Sequence, residues 1–122
     1  MATTTPHRRG RLDGLGIVLS GLCAVHCLLG LIVVAGLGLG GGLLLAPAIH
    51  RVGLLLATVL AALAIGVGAL RHRRPLPLGV AAVGLGFMAG ALLVGHGLAE
   101  AALTVIGVIL VAAGHVLNLR LA

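Results

Sequence analysis

The stretch that decides the fold is LDGLGIVLSGLCAVHCLLGLIVVA, residues 12–35. It contains a single charged residue, Asp13, and no proline. A bilayer's hydrocarbon core is crossed by a helix of about 20 predominantly apolar residues. A continuous apolar run of this length therefore predicts a membrane-spanning helix.

The composition of the whole chain agrees with a membrane location. Of its 122 residues, 61% are hydrophobic and 8% are charged, and there is one Phe with no Trp or Tyr. A soluble domain of this size could not bury so much apolar surface and would carry more charge. The net charge of +6 comes from arginines that flank the apolar runs. With no aromatic platform for stacking on bases, these arginines indicate lipid head groups and topology, and we expect no nucleic-acid partner.

Breaks between the apolar runs predict the helices. The glycine-rich stretch 36–42 ends the first run, and the stretch 71–77 (RHRRPLP) ends the second, because arginines cannot stay in hydrocarbon and prolines interrupt helices. We predict an all-α integral membrane protein, a bundle of four transmembrane helices at about residues 12–35, 47–70, 78–96 and 99–119. These helices form one domain, residues 12–122, after a mobile basic N-terminus, residues 1–11. Asp13 is the predicted N-cap of the first helix.

The arginine positions predict the orientation of the bundle. With both termini cytoplasmic, seven arginines lie on the cytoplasmic side and only Arg51 lies outside. The loops are short enough for the positive-inside rule to apply. We therefore predict a multi-pass protein of the inner (plasma) membrane with both termini cytoplasmic. The lipid bilayer is its expected partner, and a homodimer is left open.

Cys23, His26 and Cys27 are polar side chains inside the first apolar run, and they include the only two cysteines of the chain. Their spacing places them on one helix face. Counted from Leu12, the motif lies about 16 to 22 Å along the helix, near mid-membrane. Thiols and imidazole suit thiophilic ions, so the three residues predict a soft-metal site. The alternative is that both cysteines pack as small hydrophobic residues.

Further polar residues in or beside the predicted spans are secondary metal-ligand candidates. His96 and Glu100 are four residues apart across the predicted outer turn, where they either capture a cation or sit at the interface, with Glu100 favoured by the helix dipole. His115 and Asn118 lie one turn apart near the predicted inner end. Together with the cysteine motif, these residues would form a ladder of ligands across the membrane. The remaining histidines lie beside arginines and are predicted to be solvated: His7, His50 and His72.

The stretches LCAVHC (22–27), LTVIG (103–107) and AAGHVLN (112–118) resemble the mercury-resistance membrane protein C (MerC) domain family. The resemblance extends over most of the chain and includes the four-span layout. It implies mercuric ion uptake across the inner membrane by transfer between thiols, with Cys23 and Cys27 as the mercury ligands. In that family the first-helix cysteines are separated by two residues and a second cysteine pair lies on the cytoplasmic side. Here three residues separate the only pair.

We therefore predict a membrane transporter of a thiophilic metal ion, mercuric ion first, and not an enzyme. Copper or zinc would also suit the set His26, His96, Glu100 and His115. One alternative is a small structural or interaction bundle in which the polar groups only join helices. Another is a membrane thiol oxidoreductase, which usually has C-x-x-C at an exposed helix end and a second cysteine pair.

Overall fold

The computed structural model describes residues 6–38, 46–95 and 97–121, and within these ranges all regular secondary structure is helical. Helix α1 spans Pro6–Leu31 and continues as a π-helical turn, Ile32–Gly36. Helix α2 spans Pro47–His72 and includes a π-helical segment, Ala62–Gly66. Helix α3 spans Leu76–Ala91, and helix α4 spans Leu98–Leu121. The prediction of an all-α fold is confirmed.

Three of the four helices are long and apolar enough to cross a membrane, namely α1, α2 and α4. Helix α3 has 16 residues. It is thus about 24 Å long, compared with a hydrocarbon core of about 30 Å. The sequence predicted a helix to residue 96, but the chain leaves the helix after Ala91 and turns through Gly95, which has the left-handed φ of +63°. Large apolar side chains are exposed on all four helices, as expected for a surface that contacts lipid.

The start of α1 differs from the prediction. The helix begins at Pro6, and a proline suits a first turn because it lacks an N–H that would have no partner there. Residues 6–11, predicted to be mobile, form the first turns of α1. Asp13 therefore lies inside the helix. Its predicted role as N-cap is wrong, because its carboxylate accepts hydrogen bonds from His115 and Asn118 of α4.

Helices α3 and α4 are the most closely packed pair. A Cβ added to Gly84 would lie 2.6 Å from the carbonyl oxygen of Gly107, and a Cβ added to Gly107 would lie 2.7 Å from the carbonyl oxygen of Gly84. Two turns along α4, a Cβ on Gly114 would lie 2.9 Å from the Cβ of Ala81. Small residues allow this close approach, which drives helix association in lipid through van der Waals contact.

The buried apolar core is small and lies mainly between α2, α3 and α4. Its first cluster consists of Ala57, Met88, Val108 and Val111. Its second, nearer the C-terminal end of α2, consists of Ala61, Ile65 and Ala81. Leu19, Cys23 and Ala24 of α1 pack against the first cluster, so the cysteine-bearing face of α1 covers the open side of this core.

Candidate functional site

The cysteine motif lies on the internal face of α1. Cys27 is buried, and Cys23 and His26 are partly buried, whereas Val25 and Leu28 beside them are exposed. Both cysteines are free thiols. The i, i+3, i+4 spacing thus places all three candidate ligands toward the bundle.

The motif is level with the first turns of α2 and α4. The Cys27 sulfur is 4.0 Å from the carbonyl oxygen of Ala101 near the start of α4. The His26 ring centroid is 5.4 Å from that of His50 near the start of α2. Cys23 lies one turn deeper, where a Cβ added to Gly53 would be 3.5 Å from its sulfur. The motif is therefore closer to one end of the bundle than the count along α1 predicts, because the neighbouring helices begin at its level.

His50 and Glu100 join the site from α2 and α4. His50 Nε2 is 3.3 Å from Glu100 Oε1, and the two side chains are only 10% and 9% exposed. The prediction that His50 is solvated is wrong, because α2 has already begun at Pro47 and turns this side chain inward. Glu100 lies in the first turn of α4, where the helix dipole favours a carboxylate. His96, its predicted partner, lies outside the described residues.

Two adjoining cavities run along this cluster. The outer cavity has a volume of about 90 Å³ and is lined by polar side chains of three helices: His26, Cys27, His50 and Glu100. The inner cavity has a volume of about 30 Å³, and its lining includes Cys23, Met88 and Thr104. His26 and His50 line both cavities and thus stand between them. The inner volume is that of one or two water molecules and therefore suits a dehydrated ion.

The donors of the cluster are near one another without forming a coordination shell. In the described part of the chain, no group of three or more His, Cys, Asp or Glu side chains is arranged to hold a metal ion. An ion entering these cavities would have to draw the donors together. The assignment of Cys23, His26, Cys27 and Glu100 as ligands stays a prediction.

His115 belongs to a second buried cluster at the opposite end of the bundle. It is 0% exposed, and its Nδ1 is 2.7 Å from Asp13 Oδ1. Asn118 donates from Nδ2 to Asp13 Oδ2 at 2.9 Å and to the carbonyl oxygen of Ala64 at 3.1 Å. The cluster therefore joins α1, α2 and α4 through side-chain hydrogen bonds.

The hydrogen bonds of this network determine one another's direction. The backbone N–H of Arg74 donates to His72 Nδ1 at 3.2 Å, so this nitrogen is an acceptor and Nε2 carries the proton. His72 Nε2 then donates to Asn118 Oδ1 at 3.0 Å, which leaves Asn118 Nδ2 to donate toward Asp13. His72, predicted to be solvated, is thus part of the network. Each hydrogen bond from the Arg74 backbone N–H to the Asp13 carboxylate therefore points the same way along the network.

The other ring nitrogen of His115 lies against α1. A Cβ added to Gly16 would overlap the imidazole, so the close approach of α1 to this ring requires a glycine. Nε2 of His115 has no hydrogen-bond partner among the described residues. Since Nδ1–H donates to Asp13, Nε2 of a neutral ring is a bare lone pair, which is less costly to bury without a partner than an N–H would be.

The two clusters do not form a continuous ladder of ligands. Glu100 and His115 are 15 residues apart on α4, or about 22 Å. The cysteine motif is level with Glu100 and not midway, so the apolar core fills the interval. Sequence patterns alone do not place four of these residues in either cluster: Asp13, His50, His72 and Met88. For Asp13 a signal existed, because an acid inside a span needs a partner, and His115 and Asn118 were predicted at the same end.

The helical fold, the apolar exposed surface and the polar residues inside the bundle define an all-α integral membrane protein. The family described as MerC mercury resistance protein matches residues 13–120, which include both polar clusters. The chain belongs to this family, as its resemblance in sequence predicted. Comparison with curated proteins and with solved structures found no match.

Proposed function

We propose that this protein carries mercuric ion across the inner membrane, with Cys23 and Cys27 as the principal ligands and His26 as a third donor. One observation carries the proposal. The only two cysteines of the chain lie on the internal face of α1, and each lines one of two adjoining cavities. Membership of a mercury-resistance family makes mercuric ion the expected cargo.

The spacing of the two cysteines suits a two-coordinate ion. Side chains at i and i+4 on a helix have Cβ atoms about 5–6 Å apart. Two opposed metal–sulfur bonds of the length seen for zinc span about 4.6 Å. An ion can therefore bridge Cys23 and Cys27 with small side-chain rotations. Because thiolates are the ligands, each thiol that binds releases one proton.

The proposal includes four passes with both termini cytoplasmic. His50 contacts Glu100 near the start of α4, and His72 contacts Asn118 near its end. Helix α2 therefore runs between opposite ends of the bundle, and α3 connects the His72 end back to the start of α4. In the predicted orientation, the outer cavity with Cys27 and Glu100 faces the outside and receives the ion.

The test is mercuric ion binding by the purified protein, together with uptake of labelled mercuric ion into cells. The double variant Cys23→Ser/Cys27→Ser should lose tight binding and uptake, while the wild type binds about one ion. Val25→Ser is the matched control, because it places a hydroxyl in the same helix on the exposed face. Unchanged binding in the double variant would refute the proposal.

One observation favours a second function, that of a structural bundle. His115 is held by Asp13 and lies in a network that joins three helices, which is how polar groups stabilise a membrane bundle. This supports a structural role for His115 instead of a ligand role. If the whole protein were structural, the cysteine variants would lower its stability and leave metal accumulation unchanged.

A further inference from the structure

We propose that the inner cavity is a holding site for a soft monovalent cation such as cuprous ion, bound between the Cys23 thiolate and the Met88 thioether. This inference rests on the proposed function in one respect, namely that ions enter through the outer cavity. It adds a ligand, Met88, and a class of ion that the cysteine pair alone does not specify.

Two sulfur-containing side chains from different helices line one small cavity. Cys23 lines it from α1 and Met88 lines it from α3. Met88 is 6% exposed and belongs to the core cluster against which Cys23 packs. Apart from the two cysteines, Met88 is the only sulfur-containing residue in the described ranges.

The chemistry of the lining favours a soft ion without its water. Thiolate and thioether are the ligands that select cuprous ion, and imidazole also binds copper. His26 and His50 stand at the junction with the outer cavity, where they can accompany the ion inward. A cavity of about 30 Å³ has room for one ion but not for its hydration shell.

The charge balance separates this site from the cysteine pair. Binding of a monovalent ion to Cys23 releases one proton from the thiol, and the thioether releases none. The ion and the thiolate then form a neutral unit, which is favourable in an apolar core. A divalent mercuric ion needs the second thiolate, Cys27, to reach neutrality. The inner cavity is thus matched to monovalent ions, and the bridged cysteine pair is matched to mercuric ion.

Selenium labelling tests the ligand directly. The chain has two methionines, Met1 and Met88, so selenomethionine substitution reports on Met88 against a single background site. Purified labelled protein is loaded anaerobically with cuprous ion, and X-ray absorption is recorded at the selenium and copper edges. We expect a copper neighbour of selenium in the wild type and in Cys27→Ser, and its loss in Met88→Leu and Cys23→Ser.

Met88→Leu is a volume-conserving change in the core and leaves only Met1 labelled, so it is both the variant and the background control. We expect its affinity for cuprous ion to fall at least about tenfold. Replacing a residue that only supports a metal ligand already lowers affinity by about that factor, so losing a ligand itself should cost no less. Copper bound without a selenium neighbour in the wild type would overturn the inference. Mercuric ion uptake is measured in the same variants. Uptake retained in Met88→Leu leaves the proposed function standing whatever the copper result, whereas absence of uptake in the wild type refutes that function by itself.

Discussion

Replacing Asp13 tests whether the inner network holds α1 against α4. The side chain is 1% exposed, and its carboxylate accepts from His115 Nδ1 at 2.7 Å and from Asn118 Nδ2 at 2.9 Å. Asp13→Ala removes both acceptors. It leaves two buried N–H groups without a partner, the one on His115 Nδ1 and one of the two on Asn118 Nδ2, while the other still donates to the carbonyl oxygen of Ala64. Asp13→Asn keeps one acceptor oxygen but turns an NH₂ group toward the other donor. It therefore leaves one buried donor without a partner.

Three magnitudes bear on the cost of Asp13→Ala. Each orphaned buried donor costs about 1–3 kcal/mol, which gives about 2–6 for two. Removing one partner of a fully charged buried pair costs about 3–5 kcal/mol in soluble proteins, which is an upper bound for a pair with a neutral imidazole. Hydrogen bonds between membrane helices are weaker, about 0.6 kcal/mol on average and at most about 1.7, which gives at most about 3 for two. The membrane values decide, because the unfolded helices stay in lipid. We therefore expect about 1–3 kcal/mol for Asp13→Ala and about half of that for Asp13→Asn.

The assay is reversible unfolding in mixed detergent micelles, with a double-mutant cycle between Asp13→Ala and His115→Ala. The network predicts that the double variant is less destabilised than the sum of the single variants, by about 0.6–1.7 kcal/mol. Ser20→Ala is the matched control. Ser20 is buried on the same face of α1, but its hydroxyl bonds its own helix at Gly16, so its loss should change stability by less than about 0.5 kcal/mol. Additive effects of Asp13→Ala and His115→Ala would refute the pairing.

Three further predictions concern the helix contact and the candidate site. Gly107→Leu should destabilise the bundle by about 1–3 kcal/mol in the same unfolding assay, whereas Gly86→Leu, at a position with open space, should change it by less than about 0.5. Mercuric ion added to weakly buffered wild-type protein should release two protons per bound ion, one each from Cys23 and Cys27. In the Cys27→Ser variant it should release one proton per ion, and a pH indicator measures both counts. His50→Gln should weaken mercuric binding about tenfold with the same proton count, and unchanged affinity in a competition titration would show that His50 does not support the site.

The apolar runs predict most of the fold because in lipid a helix satisfies its own backbone and its length follows the hydrocarbon thickness. The start of α2 at Pro47 and the extent of α4 agree closely with the sequence prediction. The start of α1 does not, since an aspartate before an apolar run is typical of an N-cap and nothing local shows that Asp13 has partners on α4. Local sequence patterns predict where helices form, but they do not predict which side chains pair between helices.

The candidate site divides in the same way. Spacing predicts that Cys23, His26 and Cys27 share a face, and this follows from the helical period alone. Which residues oppose that face depends on how α2 and α4 are placed beside α1. The adjacent Arg51 predicts a solvated His50, yet one turn of α2 brings the His50 side chain to within 3.3 Å of Glu100. A neighbouring charge shows where a chain meets the membrane surface, but not which way the adjacent side chain points.

The separation of the two clusters constrains how an ion could cross. From Cys23 to Asp13 is ten residues of α1, or about 15 Å, which is several times a metal–ligand bond. Between these levels the interior is filled by the apolar cores around Met88 and Ile65. Among the described residues, no further sulfur or imidazole donor lies between the level of Cys23 and Met88 and that of the Asp13–His115 network, and this network closes that end. The proposed transport would thus require a second conformation in which helices move apart. The π-helical segments Ile32–Gly36 and Ala62–Gly66 are where the regular hydrogen bonding of α1 and α2 is already altered, and so they are the positions at which these helices bend most readily.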